Sequence, residues 1–321
     1  MAQTEVILRP IEKEFGECRN MYDSLLTHTN PLLSAVLTMV RCQGGKMMRP
    51  IMVLLSARLF GDVSVDAMRV AVGYECFHTA SLIHDDVVDE SDRRRGQESV
   101  NFHFGSKVAV LVGDYLLSTA LSCISQTRRP ELIEFLSQSA SGLSDGELLQ
   151  LHNVSKEDFS EEVYFDIIRK KTAALFASCA MSGAAVMGAG REDQANMYRF
   201  GELTGLCFQI RDDIFDYESD EIGKPTGNDM KEGKLTLPVL HAIHRDPTLI
   251  PLALSVKQGT ASQEEIDSLV SSTKKLGGIS YAETKMEALS TEARQILMTY
   301  PDTPVRQSLL AYLTYVTQRR Y

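Results

Sequence analysis

The spacing of proline is the feature that most restricts the fold of this chain. Prolines are absent between Pro50 and Pro130 and again between Pro130 and Pro225, while Ala, Leu, Met, Glu and Gln are frequent there. In these stretches apolar residues recur every three or four positions or continue on nearly all sides, as they do in buried helices. Turn sequences containing glycine separate the helical runs, at residues 44–45, 61–62, 96, 188–190 and 223–229. No alternating strand pattern competes with them, so the sequence predicts an all-α fold of about ten or more helices.

Composition excludes several classes of partner and location. The 321 residues carry a formal net charge of −10, which argues against nucleic acid or an anionic membrane surface as the main partner. The N-terminus lacks a basic segment followed by an apolar core, and no uninterrupted apolar run approaches the about 20 residues of a membrane span. The 6 cysteines form no CxxC pair, so we expect no disulfide framework and no zinc site. These features predict a cytoplasmic protein without a transmembrane segment.

Two nearly identical aspartate clusters lie inside apolar helical sequence. Residues 81–90 read SLIHDDVVDE, and residues 208–217 read FQIRDDIFDY. Asp85 and Asp89 are four residues apart, as are Asp212 and Asp216, so each pair projects from one face of its helix. Like charges at this spacing destabilise a helix by about 0.2–0.5 kcal/mol per pair. Folding therefore gains nothing from either cluster, whereas a bound cation would reverse the sign of the interaction.

Magnesium is the cation that these carboxylates suit. Hard oxygen ligands in modest number fit Mg²⁺, which keeps some waters and shares its remaining coordination with substrate phosphates. A solvated acidic face is the alternative interpretation of a single cluster. The aspartate cluster occurs twice, each time within apolar sequence, and this repetition favours metal binding.

Basic residues lie in short dense groups despite the acidic total. The groups are Lys46 with Arg49, Arg93 to Arg95, Arg169 to Lys171, and Lys224 with Lys231 and Lys234. Arginine presents a fork that matches phosphate oxygens, and lysine acts as a mobile point charge. One such group alone is typical of a solvated surface. Together with two clusters of the Mg²⁺ type, the groups indicate a diphosphate ligand.

The motifs of this chain resemble, in order, those of the trans-isoprenyl diphosphate (polyprenyl) synthase family. They are GGKMMRP (44–50), HTASLIHDDVVD (78–89), RRG (94–96), GDYLL (113–117), GELLQ (146–150), KT (171–172), FQIRDDIFD (208–216) and GKPTGND (223–229). The resemblance extends over residues 44–238 and is specific because eight motifs agree. One departure is Met47, where many relatives carry a basic residue.

The resemblance implies a fold, a reaction and an assembly. The fold is a single isoprenoid synthase domain over residues 1–321, with catalytic motifs at 44–238, C-terminal helices at 239–321 and helices surrounding a central active-site cavity. The reaction condenses isopentenyl diphosphate head-to-tail with an allylic diphosphate and releases diphosphate. It uses about three Mg²⁺ ions per site, held where the two aspartate clusters face each other. The family is usually homodimeric, so a homodimer is expected.

The same resemblance assigns roles to individual residues. Expected metal ligands are Asp85, Asp89 and Asp212, with Asp216 acting through water and Lys171 joining these aspartates in catalysis. Asp86 and Asp213 support them. Residues expected to hold the allylic diphosphate and its metals are Arg94, Lys171, Thr172, Gln209, Lys224 and Lys234. Residues expected to bind isopentenyl diphosphate are Lys46, Arg49, His78 and Arg95. We expect structural roles for His84, Tyr115 and Glu147.

Small residues below the first aspartate cluster predict a long product. Ser81 and Ala80 precede Asp85 by four and five residues, where farnesyl and geranylgeranyl synthases of the family commonly place a bulky aromatic residue. Phe77 and Tyr74 lie deeper, Tyr74 about 16 Å below Asp85 at 1.5 Å per residue, and each is either a lower stop or part of the core. We expect a hexaprenyl to decaprenyl product, of the kind used for quinone side chains. A shorter farnesyl or geranylgeranyl product is the alternative.

Three other functions stay open at this point. A terpene cyclase shares the first aspartate motif and the fold, but its second metal motif normally differs from DDIFD followed by GKPTGND. A ferritin-like di-iron protein needs two E-x-x-H steps and two further glutamates, whereas only Glu75 and His78 form such a step. The third is a noncatalytic subunit of a heteromeric synthase, which activity of the purified chain would exclude.

Overall fold

Helices account for nearly all of the regular structure in this chain. The computed structural model describes residues 3–154, 156–218 and 227–319. Its α-helices are α1 (Gln3–Leu8), α2 (Glu12–Leu25), α3 (Pro31–Gln43), α4 (Met48–Leu59), α5 (Val65–Val88), α6 (Val100–Phe104), α7 (Ser106–Ser125), α8 (Pro130–Val154), α9 (Glu161–Ile168), α10 (Ala174–Val186), α11 (Arg191–Glu218), α12 (Asn228–Lys231), α13 (Leu237–Arg245), α14 (Ile250–Lys257), α15 (Gln263–Lys275), α16 (Gly278–Met298) and α17 (Pro304–Gln318). Short 3-10 turns span Arg9–Ile11 and Pro247–Leu249. The predicted all-α class is confirmed.

The chain divides into two compact units. The first comprises Met1–Ser137, Ser178–Tyr198 and Thr303–Leu309, and the second comprises Gln138–Ala177, Arg199–Asp302 and Leu310–Tyr321. In the first unit, buried residues of α3, α5 and α7, such as Val36, Ile83 and Leu116, form one apolar cluster. In the second unit, residues of α11, α13 and α15, such as Tyr217, Val239 and Leu269, form another. Each unit thus has an apolar core of its own, because each helix presents an apolar stripe to its neighbours.

Helix starts follow the sequence signals for capping. The Asn30 side chain accepts the N–H groups of Leu32 (3.0 Å) and Leu33 (3.2 Å) at the start of α3. Ser64 caps α5, and Ser262 forms a capping box with Glu265 at the start of α15. These side chains satisfy N–H groups that have no partner within the helix.

Glycine allows two helices of the second unit to approach closely. A Cβ on Gly205 of α11 would lie 2.5 Å from the Cα of Ala173, and one on Gly201 would lie 2.5 Å from the carbonyl oxygen of Phe176. Any larger residue would push α11 away from residues 173–176. This contact sets the position of the second aspartate cluster, which follows on α11.

Two local features were not predicted. Residues Arg93–Arg94 (β1) and Gln97–Glu98 (β2) form an antiparallel pair, joined by Arg95 and Gly96, both at positive φ, as in the tight turns that suit hairpins. Residues Arg169–Ala173 form a π-helical turn between α9 and α10, in a stretch predicted to be continuous α-helix. The GKPTGND turn is described only from Gly227, the residue before the short helix α12.

One helix in the described ranges, α7, has the length and apolar composition of a membrane span. Core helices of soluble proteins meet the same criterion, so the finding is weak support for a span. Several apolar side chains of α7 are exposed, with Leu111 at 60% and Val110 at 41%.

Candidate active site

The first aspartate cluster lies at the C-terminal end of α5. Asp85 is half-buried within the last turn, and Asp89 is exposed one residue beyond the helix. The N–H of Asp89 donates to the carbonyl oxygen of Asp85 at 2.8 Å, so the helical turn continues to Asp89. The two residues therefore lie one turn apart, as their spacing predicts.

Asp86 holds Arg94 of the β1–β2 hairpin. Asp86 is 2% exposed, and its Oδ1 accepts a hydrogen bond from Nε of Arg94 at 2.8 Å and another from Nη2. Burial raises the pKa of Asp86, and the hydrogen bonds and charge of Arg94 oppose that rise. The carbonyl of Asp86 also accepts the N–H of Ser91 (2.9 Å). The hairpin is thereby fixed against α5, with Arg95 at its turn.

Two of the predicted basic residues of the first unit, Arg94 and Arg95, line one cavity. The cavity measures about 280 Å³, and its walls include Gly44 and Gly45 after α3, Glu75 of α5, and Arg94 and Arg95 of the hairpin. A Cβ on Gly45 would lie 2.7 Å from Nη1 of Arg95, so the absence of a side chain there makes room for the guanidinium. Lys46, in the same loop, is exposed.

His78 lies within the electrostatic reach of three arginines. Burial lowers the pKa of His78 well below its ordinary value, and the charges of Arg49, Arg95 and Arg94 lower it further. Near neutral pH the imidazole is therefore uncharged and offers one hydrogen-bond donor and one acceptor. The structure thus brings together four of the residues assigned to diphosphate binding by resemblance.

In the second unit the π-helical turn presents Lys171 and Thr172. Nζ of Lys171 lies 2.5 Å from Oε2 of Glu147 and donates to Oε1 of Gln150 at 3.0 Å, both on α8. A Cβ on Gly146 would lie 2.9 Å from Cγ of Lys171, so α8 and the turn approach closely at this glycine. π-Helical turns occur frequently at functional sites, and here the turn carries the expected catalytic lysine.

A hydrogen-bond chain joins the π-helical turn to the second aspartate cluster. Oγ1 of Thr172 donates to Oε1 of Gln209 (2.8 Å), and Nε2 of Gln209 donates to Oδ1 of Asp213 (2.9 Å). Tyr164 of α9 donates to Oδ2 of Asp213 at 2.6 Å. Burial raises the pKa of Asp213, and the two donors oppose the rise. Asp213 is therefore held on both of its oxygens by Tyr164 and Gln209 within the second unit.

Asp212 forms an ion pair with Arg319, just past the end of α17. Nη2 of Arg319 lies 2.5 Å from Oδ1 of Asp212 and 3.2 Å from the carbonyl oxygen of Phe208. The guanidinium carbon stacks 3.7 Å from the centroid of the Phe208 ring, and Nε of Arg211 donates to the carbonyl oxygen of Arg319 at 3.1 Å. Sequence reasoning assigned no role to residues beyond 245, and one basic residue in a C-terminal helix gives no signal of such a contact.

Asp216 accepts two backbone N–H groups from the start of α12. Its Oδ1 accepts from Asn228 at 2.8 Å and its Oδ2 accepts from Asp229 at 3.1 Å. Nearby, Nζ of Lys234 pairs with Glu232 at 2.6 Å. Lys224 lies outside the described residues. With both oxygens engaged, Asp216 suits the indirect, water-mediated role expected for it.

The donor set of the clusters fits Mg²⁺ shared with a substrate. No group of three His, Cys, Asp or Glu side chains in the described ranges is placed to hold a metal ion by itself. The carboxylate oxygens of Asp85, Asp89 and Asp212 are hard ligands, and Mg²⁺ commonly binds one or two carboxylates together with phosphates and waters. Glu75 and His78, the E-x-x-H step of the di-iron alternative, have the arginines Arg49 and Arg95 as neighbours. A cationic neighbourhood does not suit a cation site.

The residues expected to control product length differ in their surroundings. Tyr74 is fully buried, and its hydroxyl lies 2.5 Å from Oγ of Ser178 and 2.9 Å from Oγ of Ser182 on α10. Phe77 is 5% exposed and Ala80 is 2% exposed, with Ala80 inside the apolar cluster of the first unit. Ser81 is only partly buried, and its hydroxyl donates to the carbonyl oxygen of His78 at 2.9 Å.

His84 packs against α7. A Cβ on Gly113 would lie 2.2 Å from Nε2 of His84, and the same nitrogen lies 3.2 Å from the carbonyl oxygen of Val110 and 3.5 Å from Oδ1 of Asp114. The imidazole therefore fills the space that Gly113 leaves open. These contacts agree with the structural role expected for His84.

Comparison with known proteins identifies the family. The family model described as polyprenyl synthetase matches residues 30–273. Octaprenyl diphosphate synthase of Escherichia coli is 34% identical over 280 residues, which is 86% of each chain. All-trans-nonaprenyl-diphosphate synthase of Rhodobacter capsulatus is 34% identical over 311 residues, 95% of this chain and 94% of the relative.

A solved structure agrees in fold over the whole length. The crystal structure of geranylgeranyl pyrophosphate synthase from Bacteroides thetaiotaomicron is 46% identical, with a TM-score of 0.88 over 99% of this chain and 100% of that chain. The predicted isoprenoid synthase fold is thereby confirmed. With the motifs, the site geometry and the family match in agreement, the chain belongs to the polyprenyl synthetase family and is a prenyltransferase that forms prenyl diphosphates.

Proposed function

We propose that this protein condenses isopentenyl diphosphate with an allylic diphosphate in a Mg²⁺-dependent reaction and makes a long-chain all-trans polyprenyl diphosphate. One observation supports this most directly: Thr172 and Gln209 join the lysine-bearing turn to the aspartate helix α11 through hydrogen bonds of 2.8 and 2.9 Å. Cationic and acidic groups are thus concentrated at one place. A metal-bound diphosphate needs both.

The first chemical step breaks the bond between the allylic carbon and the diphosphate oxygen. Negative charge develops on the leaving diphosphate, and preorganised positive groups in a site that excludes water stabilise it. Lys171, fixed by Glu147 and Gln150, and Arg94, fixed by Asp86, supply such charge from this chain. Mg²⁺, when held by Asp85, Asp89 and Asp212, would neutralise further negative charge on the diphosphate.

The second step joins two substrates. Arg49, Arg95, His78 and Lys46 hold isopentenyl diphosphate, whose double bond attacks the allylic carbocation so that a carbon–carbon bond forms. Holding the two reactants together supplies about 7–11 kcal/mol of the barrier in favourable cases. A proton then leaves the isopentenyl unit, and the departed diphosphate accepts it. The product is an allylic diphosphate that can re-enter the cycle.

A product of six to ten isoprene units is part of the proposal. The roughly three turns of α5 between Asp85 and Tyr74 carry Ser81 and Ala80, both small, before Phe77 and Tyr74 are reached. Curated relatives named for octaprenyl and nonaprenyl products support the same length. Quinone side chains are the use expected for such products.

A geranylgeranyl product is the second candidate. It is favoured by the 46% identity to the structure described as geranylgeranyl pyrophosphate synthase. Chromatography of dephosphorylated products separates the candidates. We expect products of about 30 to 50 carbons when the purified chain is incubated with Mg²⁺, farnesyl diphosphate and excess isopentenyl diphosphate. Each isoprene unit added contributes about five carbons. A product that stops at 20 carbons would select the second candidate, and no product at all would contradict the function.

A homodimer in the cytoplasm completes the proposal. The exposed apolar side chains of α7, including Leu111 and Val110, suit a contact with a second copy. All six cysteines lack a disulfide, which fits a reducing compartment. Light scattering in the absence of detergent should give twice the 35.7 kDa of the chain. A monomer, or a requirement for detergent, would argue against this assembly.

A further inference from the structure

Glu75 is a buried carboxylate in the wall of the cationic cavity of the first unit. It is 6% exposed, and its Oε2 has no hydrogen-bond partner within the described part of the chain. Burying a carboxylate without compensation is strongly unfavourable, so buried carboxylates are paired or protonated. Neighbouring groups must therefore compensate the charge of Glu75.

Two arginines from different elements compensate its charge. Burial raises the pKa of Glu75, and the charges of Arg49 at the start of α4 and Arg95 in the hairpin turn oppose that rise. The other titratable groups that sense Glu75 are Cys18 and Tyr22 of α2, Cys76 of α5 and Cys179 of α10, and its charge raises the pKa of each. None of these four supplies a positive charge. Arg49 and Arg95 are thus the positive groups coupled to Glu75.

His78, three residues further along α5, does not share this role. Its pKa lies well below the ordinary value because it is buried near the same arginines, so it is neutral near pH 7. The imidazole of His78 therefore adds no positive charge near Glu75.

The position of Arg95 is also restricted by its backbone conformation and by Gly45. Arg95 has a positive φ of 52° in the hairpin turn, and its guanidinium occupies the space left by the missing side chain of Gly45. An arginine side chain carries about 2 kcal/mol of rotamer entropy. Fixing it before the ligand arrives removes that contribution from the free energy of binding.

We propose that Glu75 is a positioning residue that fixes the guanidinium groups of Arg49 and Arg95 for the diphosphate of isopentenyl diphosphate. This inference rests on the proposed function. Glu75 reduces the repulsion between the two cations and orients Arg95, which lines the cavity together with Glu75. It does not contact the reacting carbon atoms, so it acts through the arginines.

The test compares Glu75→Gln with Glu202→Gln. Glu202 is also buried, at 8% exposure, and it also pairs with arginines, Arg199 and Arg169, but it lies in the second unit. For Glu75→Gln we expect KM for isopentenyl diphosphate to rise about tenfold, the effect of losing one charge-assisted interaction. The kcat and the KM for the allylic substrate should stay within about twofold, and Glu202→Gln should change none of the three.

Titration calorimetry with inorganic diphosphate gives a readout that does not require turnover. Its Kd should rise in Glu75→Gln, and adding Glu75→Gln to the double variant Arg49→Gln/Arg95→Gln should weaken binding no further, because Glu75 acts through these two arginines. An unchanged or lower Kd in Glu75→Gln would overturn the positioning role. Failure of the wild-type chain to form any product would instead count against the proposed function, while the diphosphate Kd would still decide the role of Glu75.

If Glu75→Gln does not fold, Glu75→Asp is measured in its place. Aspartate keeps the charge and shortens the side chain by one methylene. The same selective rise in KM for isopentenyl diphosphate is expected there. A lower melting temperature with an unchanged KM would show that Glu75 only stabilises the fold.

Discussion

Nη2 of Arg319 lies 2.5 Å from Oδ1 of Asp212, and 107 residues separate the two in sequence. The side chain of Arg319 is 13% exposed and that of Asp212 is 40% exposed. Phe208 stacks on the guanidinium, and Arg211 holds the backbone of Arg319. Arg319 thus pairs with the carboxylate that is expected to bind Mg²⁺, so Arg319 and a metal ion bound there would compete for Asp212.

Replacing Arg319 with Gln should therefore strengthen the binding of Mg²⁺ in the absence of diphosphate. A partly exposed ion pair contributes about 0.2–1 kcal/mol, so the expected decrease in Kd is up to about fivefold. Calorimetric titration with Mg²⁺ alone measures it. Arg319→Lys, which keeps the charge, is the control and should bind Mg²⁺ as the wild type does; weaker binding by Arg319→Gln would contradict the competition.

Removing a metal-binding carboxylate should abolish turnover without unfolding the protein. Asp85→Ala and Asp212→Ala are each expected to lower kcat by about 10²–10³-fold or more, the range seen when one stabilising group is lost from a transition state. Steady-state kinetics at saturating Mg²⁺ measures the loss, and thermal melts monitor the fold. Asp62→Ala, at a side chain that is 98% exposed, is the matched control. Near-normal activity in both cluster variants would remove the metal assignment.

Enlarging the residues below Asp85 should shorten the product. Ser81→Phe places a ring at a partly buried position and should do so with little change in stability. Ala80→Phe enters the apolar cluster of the first unit, so we expect a shorter product together with a loss of about 1–3 kcal/mol from overpacking. Chromatography of dephosphorylated products reports the length.

Tyr74→Phe is the control for the length variants. It keeps the ring and removes the hydroxyl that contacts Ser178 and Ser182. The product length should stay the same, while the free energy of unfolding falls by about 1 kcal/mol. Unchanged length in both Ser81→Phe and Ala80→Phe would place the limit on product length elsewhere.

The metal-free protein should lose stability as the pH rises. Burial raises the pKa of Asp213 and of Asp229 above the ordinary carboxyl value of 3.8. Such a group binds its proton more tightly in the folded state, so its contribution to stability is present at low pH. That contribution is lost as the pH rises from about 4 through the raised pKa. Each pKa unit corresponds to about 1.4 kcal/mol.

Chemical denaturation between about pH 4.5 and pH 8 measures this dependence. Asp213→Asn should flatten the profile because its amide does not titrate, and Mg²⁺ with diphosphate should restore stability at the alkaline end. Asp62→Asn should leave the slope as in the wild type. A metal-free protein whose stability rises over this interval would contradict the assignment of raised pKa values to these carboxyls.

Much of the fold was predictable because its signals are local. The recurrence of apolar residues every three or four positions and the capping residues Asn30 and Ser64 act within one helical turn. The aspartate pairs were predictable for the same reason, since a spacing of four residues defines a helical face. The two-residue strands of the β1–β2 hairpin are too short for an alternating pattern, although Arg95-Gly96 is compatible with its turn. Gly146 of α8 and Gly205 of α11 pack closely against the π-helical turn. The sequence of the turn itself contains neither glycine, so it gives no signal of this packing.

The sequence by itself determined the helical class, the two aspartate clusters, the basic groups and, by resemblance, the family. Only the tertiary structure decided which charges pair: Arg94 with Asp86, Lys171 with Glu147, and Arg319 with Asp212. Helix formation and capping depend on hydrogen bonds between residues within about four positions of each other. Pairing between distant side chains depends on how the helices pack. Burial excludes water, so each charged group interacts mainly with the residues that packing places next to it.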